Sequence, residues 1–388
     1  MNVDRFDGLL LDEYITLIFG LYSLTQGSPE ATINVATVAQ NLNIEPEAVA
    51  AFFNSRSLSM EEFRNLFAGG GWTKDDFLSL ITPSRFVGDT TEIRRYPFTH
   101  IDSDTHLILD PTCVVELLTS GLYWTIFDGL PERPARDRER FRELWGRAFE
   151  LYCVDLLTHF YGTSGSGLSP LRPNIEYQGA EGSGQIDALL DYGNEVILFE
   201  MKASLLSLEA KFSRDWNRLE AELRRNFVEN EQGKPKALRQ LARAAKALIA
   251  GRVLSGKAPE RVFPVVIVDE KAMECLAMNT YINEVFQDLL GGDVPNGLRP
   301  LTIMSIDELE ELLPYIQQQG VSWTELLQSR FKNDNVVITS VHQGLYNINR
   351  DRKTAIMRNS FLINRYEALF ERMKKVCPPT ASDGSDKN

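Results

Sequence analysis

In "LFEMKAS", residues 198–204, Glu200 and Lys202 stand two apart inside an apolar run. Charged side chains are seldom buried unless they are paired or hold an ion. An acidic partner lies upstream, Asp187 in "GQIDALL". Between them is "DYGNE", where Gly193–Asn194 suits a two-residue hairpin loop. With that loop Tyr192 faces Glu195, paired residue numbers sum to 387, and Asp187 falls opposite Glu200. A four-residue loop keeps the alignment, whereas a three- or five-residue loop breaks it. Opposed residues share a face with Cβ atoms about 5 Å apart, and Lys202, two positions on, shares that face. Two carboxylates so close repel unless a cation or a proton intervenes. Oxygen ligands with open positions suit Mg²⁺ or Mn²⁺, and a lysine beside the ion can orient or help deprotonate a water. This is equipment for metal-assisted hydrolysis of a phosphodiester. The same residues also make a plain lysine–carboxylate cluster at a sheet end.

Spacing alone does not single out this pair. The chain holds four (Asp/Glu)-x-Lys triplets: Glu200–Lys202, Glu209–Lys211, Asp269–Lys271 and Asp351–Lys353. Glu209 and Asp351 lie outside apolar strand runs. Asp269 follows one, but no Asp occurs in the preceding twenty residues. Only Glu200 has both a strand and an upstream acid.

The elements that must position these residues follow from periodicity. "RERFRELWGRAFELYCVDLLTHFYG" reads as a long amphipathic helix ending at Gly162, and "GTSGSGLSPLRP" as a flexible loop. "NIEYQG" and "GQIDALLDYGNEVILFEMK" read as three strands, the last two a hairpin. "KPKALRQLARAAKALIAG" is a helix stopped by Gly251. "RVFPVVIVDE" and "RPLTIMSI" are further strands, followed by helices at "DELEELLPYIQQ" and "SWTELLQSRF". This order predicts an α/β fold with a mixed central sheet flanked by helices. "NVVITS" and a helix around "NSFLINRYEALFERMKKV" form a helical C-terminal extension over 311–377. The tail over 378–388 has disordered composition.

Residues 1–130 read as an acidic, mostly helical domain with a small β-hairpin around Asp102–Asp104. "LLLDEYITLIFGLYSL" has helical apolar spacing. "VATVAQNLNIEPEAVAAFFNS" has the outline of a helix-turn-helix, but no Lys or Arg occurs between Val35 and Asn54. A DNA-reading helix needs such contacts, so a packing or partner-binding unit is expected. "GLPERPARDRER" marks a boundary near residue 130, placing the core domain at 131–310.

Bulk properties are those of a soluble globular chain: 388 residues, 43% hydrophobic and 24% charged. The start lacks a signal peptide's basic region, and no apolar run approaches the roughly 18 residues of a membrane span. Cys113, Cys153, Cys275 and Cys377 are scattered and form no zinc spacing with the four histidines. A reduced, cytoplasmic protein without membrane contact is expected. The formal net charge of −13 is unevenly spread. Residues 1–130 hold 7 Lys and Arg against 18 Asp and Glu, while residues 202–261 hold 14 against 7. Local charge decides whether a phosphate backbone is attracted. A solvated helical face accounts for the basic block equally well.

Asp187 in "GQIDALL" and Glu200-Met201-Lys202 in "ILFEMKA" resemble the motif of the PD-(D/E)xK nuclease superfamily, with its restriction-endonuclease-like core. Glu150 in "GRAFELYC" upstream and "ALRQLARA" downstream extend the likeness over roughly residues 139–306. The motif's Pro is replaced by Ile186. By that resemblance Asp187 and Glu200 would hold Mg²⁺ or Mn²⁺ and Lys202 would act on the attacking water. Glu150 would approach the metal or its water, with Glu143 the alternative inward residue. Gln240, with Lys236 as a further candidate, would face the site or the phosphates. The layout including "RPLTIMSIDELEELL" looks like nucleases of bacterial anti-phage or restriction systems. His159 reads as a surface residue, and His100 and His106 have no evident partners.

The reading is a Mg²⁺-dependent nuclease acting on DNA in preference to RNA. Its acidic N-terminal domain would screen the DNA groove or dock a partner protein or a second copy. The alternatives are an RNA-cleaving nuclease and a non-catalytic, nuclease-like scaffold.

Overall fold

The computed structural model describes residues 8–27, 32–68, 91–128, 135–162, 170–179, 182–207, 210–211, 215–251, 253, 258–291, 294–319, 321–332, 336–350 and 358–376. Residues 129–134 of the expected boundary segment, residues 163–169 of the expected loop and the tail at 378–388 lie outside them. The chain forms two compact units, Met1–Phe141 with Arg365–Asn388, and Arg142–Asn364.

In the first unit, helices α1 (Leu11–Gly27), α2 (Val35–Leu42), α3 (Pro46–Arg56), α4 (Met60–Ala68), α5 (Thr91–Arg95), α6 (Pro111–Glu116) and α7 (Ser120–Asp128) accompany four short strands. These are β1 (Thr32–Asn34), β2 (Ser57–Ser59), β3 (Phe98–His100) and β4 (Thr105–Ile108), ordered β1-β4-β3-β2. The expected hairpin is β3–β4, and β2 joins it in parallel. The Asn34 side chain caps α2 by accepting the Thr37 N–H, and Asn43 ends α2 in the left-handed region at φ 51°. Val38, Ala39, Val49, Phe52 and Phe53 of the α2–α3 pair are buried in the unit's own core. His106 corrects the expectation of a histidine without partners. It is buried, its Nδ1 lies 3.0 Å from Ser57 Oγ, and its ring stacks on Phe53. Burial disfavours the charged imidazolium, and His100 beside it adds to this, bringing its pKa down to about 4.

The boundary between the units falls inside helix α8 (Ala135–Tyr161). The second unit is built on a five-stranded mixed sheet of β5 (Leu171–Gly179), β6 (Gly182–Asp191), β7 (Glu195–Lys202), β8 (Arg261–Val268) and β9 (Thr302–Ser305), in sequence order. Strand β5 begins at Leu171, so "LRP" extends the strand rather than the loop. The β5–β6 and β6–β7 pairs are antiparallel, and β7–β8 and β8–β9 are parallel. Helices α9 (Trp216–Phe227), α10 (Ala237–Ile249) and α11 (Leu276–Leu290) share one core with Val196, Leu198 and Val266. The other core joins Phe149, Cys153 and Leu156 of α8 to Ile197, Phe199 and Met201. Helices α12 (Ile306–Gln319), α13 (Trp323–Ser329) and α14 (Val341–Arg350) also contribute to it. A strand covered on both faces reads as an unbroken apolar run, which is why "VILF" shows no alternation. Pro264 sits within β8 where it costs no ladder bond. Val262 bridges Leu298, the β8–β9 ladder starts at Val265, and Pro264 occupies the gap. Among the described residues no helix is long and apolar enough to cross a membrane.

Residues 306–364 close the second core through two polar devices. Arg330 is fully buried, and its guanidinium donates to the Thr302 hydroxyl at 2.6 Å, the Asn279 side-chain oxygen at 2.9 Å and the Thr339 carbonyl at 3.1 Å. The second device repairs a defect. Pro314 lies inside α12 and supplies no N–H to the carbonyl four residues back. That carbonyl belongs to Glu310, and the Asn359 side-chain amide donates to it at 2.6 Å. The oxygen of the same amide accepts the Leu362 N–H and caps α15 (Ser360–Val376).

Asn359→Ala should therefore destabilise the second unit by about 1–3 kcal/mol. In a Pro314→Ala background, where residue 314 regains its N–H, the same change should cost only the cap, about 1 kcal/mol. Denaturant unfolding of the four-member cycle measures the coupling, and additive effects would refute the shared role.

Candidate active site

The hairpin places the site. Ladder pairs run from Asp191↔Val196 to Ala188↔Phe199, the register that a Gly193–Asn194 loop dictates. Gly193 takes φ 83°, and the Tyr192 N–H donates to the Glu195 carbonyl at 3.0 Å. The ladder stops before Asp187, so Asp187 and Glu200 do not form the expected main-chain pair. Instead, the Met201 N–H donates to Asp187 Oδ2 at 2.8 Å. Lys202 Nζ lies 3.1 Å from Glu200 Oε1, and the Glu200 side chain is only 4% exposed. Glu200 and Lys202 keep the parity of Val196 and Leu198, so they project to the face covered by α10.

Charge exposes what this arrangement lacks. Burial raises the Glu200 carboxyl to about 8; Lys202 opposes the rise, while Asp187 and Glu150 add to it. Burial also raises Asp187, against the Met201 N–H and Lys202. Glu150, half-buried on α8, is raised by burial and by the Asp187 charge. For Lys202, burial works against the ammonium, but Glu200, Asp187 and Glu150 together outweigh it and raise its pKa. Four side chains from three elements thus share one electrostatic environment, three acids around the Lys202 ammonium, with Arg147 also acting on Glu150. Glu143 is exposed on the same helix. Asp187, Glu200 and Glu150 do not converge into a three-ligand group, and no trio of His, Cys, Asp or Glu does so among the described residues.

The strand ends explain the location. Lys202 is level with Val268, and Val268 with Ser305, so three parallel strands finish together. The end of such strands is where open α/β sheets bind ligands. Lys236 stands at the start of α10, where burial and the charges of Lys202, Arg225 and Arg142 lower its pKa. Gln240, one turn on, is half-buried, and its carbonyl accepts the Tyr177 hydroxyl at 3.4 Å. Its side-chain amide makes no hydrogen bond to the carboxylates among the described residues. His159 is exposed and lies 2.8 Å from Ser360 Oγ.

Several residues that support the site were not found from sequence. Glu270 is buried, accepts the Leu206 N–H at 3.0 Å and pairs with Lys211 at 2.7 Å. Glu222 holds both the N–H and the hydroxyl of Ser207, at 2.6 and 2.7 Å. Together they pin the segment that follows Lys202. Asp269 accepts the Trp145 indole N–H at 3.4 Å, and burial raises its pKa to about 6. The signal was present in "VVIVDE", two acids directly after a buried strand.

A carboxyl raised on folding keeps more protons than its unfolded counterpart, so stability falls as pH rises between the two pKa values. In metal-free buffer the chain should lose stability relative to Glu200→Gln between about pH 4.5 and about pH 8, by on the order of a few kcal/mol. Thermal melts in EDTA across that range test this, and parallel curves for the two proteins would disprove it. No protein-family model, curated protein or solved structure matches this chain.

Proposed function

We propose that the second unit is a Mg²⁺- or Mn²⁺-dependent phosphodiesterase of the PD-(D/E)xK kind that cleaves nucleic acid, DNA before RNA. One observation carries the reading: Asp187, Glu200 and Lys202 share one buried electrostatic environment at the end of a hairpin. The donor set is all carboxylate oxygen, which fits a hard divalent cation. Mg²⁺ is held by one or two carboxylates with the remaining positions left to water, so Asp187 and Glu200 suffice without a three-ligand group. Glu150, whose charge acts on Glu200, would approach such a water. When bound, the cation supplies charge neutralisation at the phosphoryl group. The raised pKa of Lys202 suits an ammonium that orients a water and stabilises developing charge, not a neutral base. Gln240 and Lys236 belong to the substrate side of the site.

The cations next to the carboxylates support a polyanionic substrate. The charges of Lys202, Arg225 and Arg142 all act on Lys236, and positive charge so placed attracts phosphate. Arg239 is paired with Glu229 at 2.8 Å, and Arg225 lies 3.7 Å from Glu222. A second reading is a non-catalytic scaffold. It is favoured by the contacts already closed: Glu200 on Lys202 and Asp187 on the Met201 N–H.

Lys202→Ala should keep the fold and Mg²⁺ binding but lose at least about 100-fold in cleavage of plasmid or linear DNA. Asp187→Ala should lose cleavage and Mg²⁺ binding together, read by calorimetry. Wild-type behaviour of both variants, or cleavage that persists in EDTA, would overturn the metal-dependent reading in favour of the scaffold. Arg225→Glu should weaken nucleic-acid binding and flatten its salt dependence by about one unit of slope, measured by anisotropy in EDTA. Arg239→Ala should change neither.

A further inference from the structure

We propose that Asn174 is a positioning residue for Asp187: its left-handed backbone opens the β5–β6 pair at one point and frees the Asp187 carboxylate to take the Met201 N–H. The inference rests on the reading of Asp187 as a site carboxylate. In the second unit Asn174 is the described non-glycine residue with positive φ, at 53°. Side chains other than Asn, Asp and Gly rarely adopt this region, and β-branched ones are strained there.

Its position in the ladder gives the conformation meaning. Pro173 pairs with Ala188 and Ile175 with Ile186, so Asn174 would face Asp187, yet that pair is missing. Asp187 is absent from the β6–β7 ladder as well. The register is the same on both sides of the gap, so no residue has been inserted and this is not a bulge. What changes is the face. Ala188 belongs to the core shared with α8, whereas Ile186, two residues away, belongs to the core shared with α10. Residues two apart in a regular strand share a face, so the hairpin arm turns sharply between them. Beyond the turn Ile175, Tyr177 and Ile186 lie against the α10 core, and the Tyr177 hydroxyl reaches the Gln240 carbonyl. The Gln185 amide donates to the Asn174 side-chain oxygen at 3.0 Å and ties the turn from the paired strand. Asp187 sits at the corner, released from both ladders, with its carboxylate on Met201.

A simpler role is available. Strand β5 is at the sheet edge, and Pro173 followed by an irregular residue blunts an edge against unwanted pairing. That role predicts no effect on Met201.

The discriminating experiment uses the full chain labelled with ¹⁵N-methionine, in EDTA. Exchange rate and shift of the Met201 amide are read in wild type, Asn174→Gly, Asn174→Ala and Asn174→Val, with Asp187→Ala as reference. Asn174→Gly, which adopts positive φ freely, should match wild type. Asn174→Val should exchange at least about tenfold faster at Met201 and shift toward Asp187→Ala, with Asn174→Ala between them. If valine leaves the fold intact and Met201 unchanged, or if glycine disturbs Met201 as much as valine does, the proposal is wrong. Should valine prevent folding, the Ala–Gly comparison decides by the same criterion. Calorimetry with Mg²⁺ alone separates the two levels. Weaker binding by Val with Gly intact supports the positioning role, whereas a wild type that binds no Mg²⁺ refutes the metal-dependent function and leaves the Met201 result to stand alone.

Discussion

A carboxylate with almost no access to water sets the terms for the second unit. Glu200 lies in a strand covered on both faces, and an isolated charge there would cost several kcal/mol. The Lys202 ammonium at 3.1 Å offsets part of that cost. Asp187 and Glu150 then add acid faster than Lys202 alone can balance. Everything nearby can be read as managing this imbalance: the Met201 N–H turned onto Asp187, the cations gathered at the start of α10, and the segment after Lys202 pinned by Glu222 and Glu270. A protein that needed only stability would replace such a cluster with apolar side chains at little loss. Stability alone therefore does not account for the cluster.

Much of this was legible in the sequence, for reasons that are local. A two-residue loop at Gly193–Asn194 fixes the β6–β7 register, and register fixes which side chains share a face. The long amphipathic pattern of α8 and the alanine-rich pattern of α10 likewise speak within a dozen residues. The departures came from distance. Strands of three residues, such as Thr32–Asn34 and Ser57–Ser59, are too short to alternate visibly and exist because a hairpin far along the chain offers them edges. The bond from Glu222 to Ser207 joins a helix to a loop that carries no pattern. The gap opposite Asn174 is invisible because propensity reports what a residue tolerates, not where a ladder breaks.

The two faces of the sheet divide the labour. The α10 face carries Glu200 and Lys202 and receives the basic block. The α8 face carries Glu150 and is completed by α12–α14, with Arg330 satisfied by neutral oxygens of Thr302, Asn279 and Thr339 rather than by a close carboxylate. Burial weakens that guanidinium's hold on its proton and lowers its pKa to about 10. Glu308, buried nearby, is raised to about 7 for the same reason. The core therefore keeps a cation whose hydrogen bonds are directional, which favours one packing of the segment over others.

The pairing of Asp12 with Arg372 has a consequence for assembly. Arg372 grips Asp12 through both Nε and Nη2, at 3.2 and 2.6 Å, within a unit made of Met1–Phe141 and Arg365–Asn388. The second unit is thus an insertion in the first. During synthesis the inserted unit has its sheet and both its cores available before the residues that complete the outer one exist. Domains fold as units when their own segments are present, so the outer unit, although started first, is finished last. Among the described residues, the apolar core of the outer unit is supplied by residues 9–126 alone, so what the last residues add is a closing contact on that core and not the core itself.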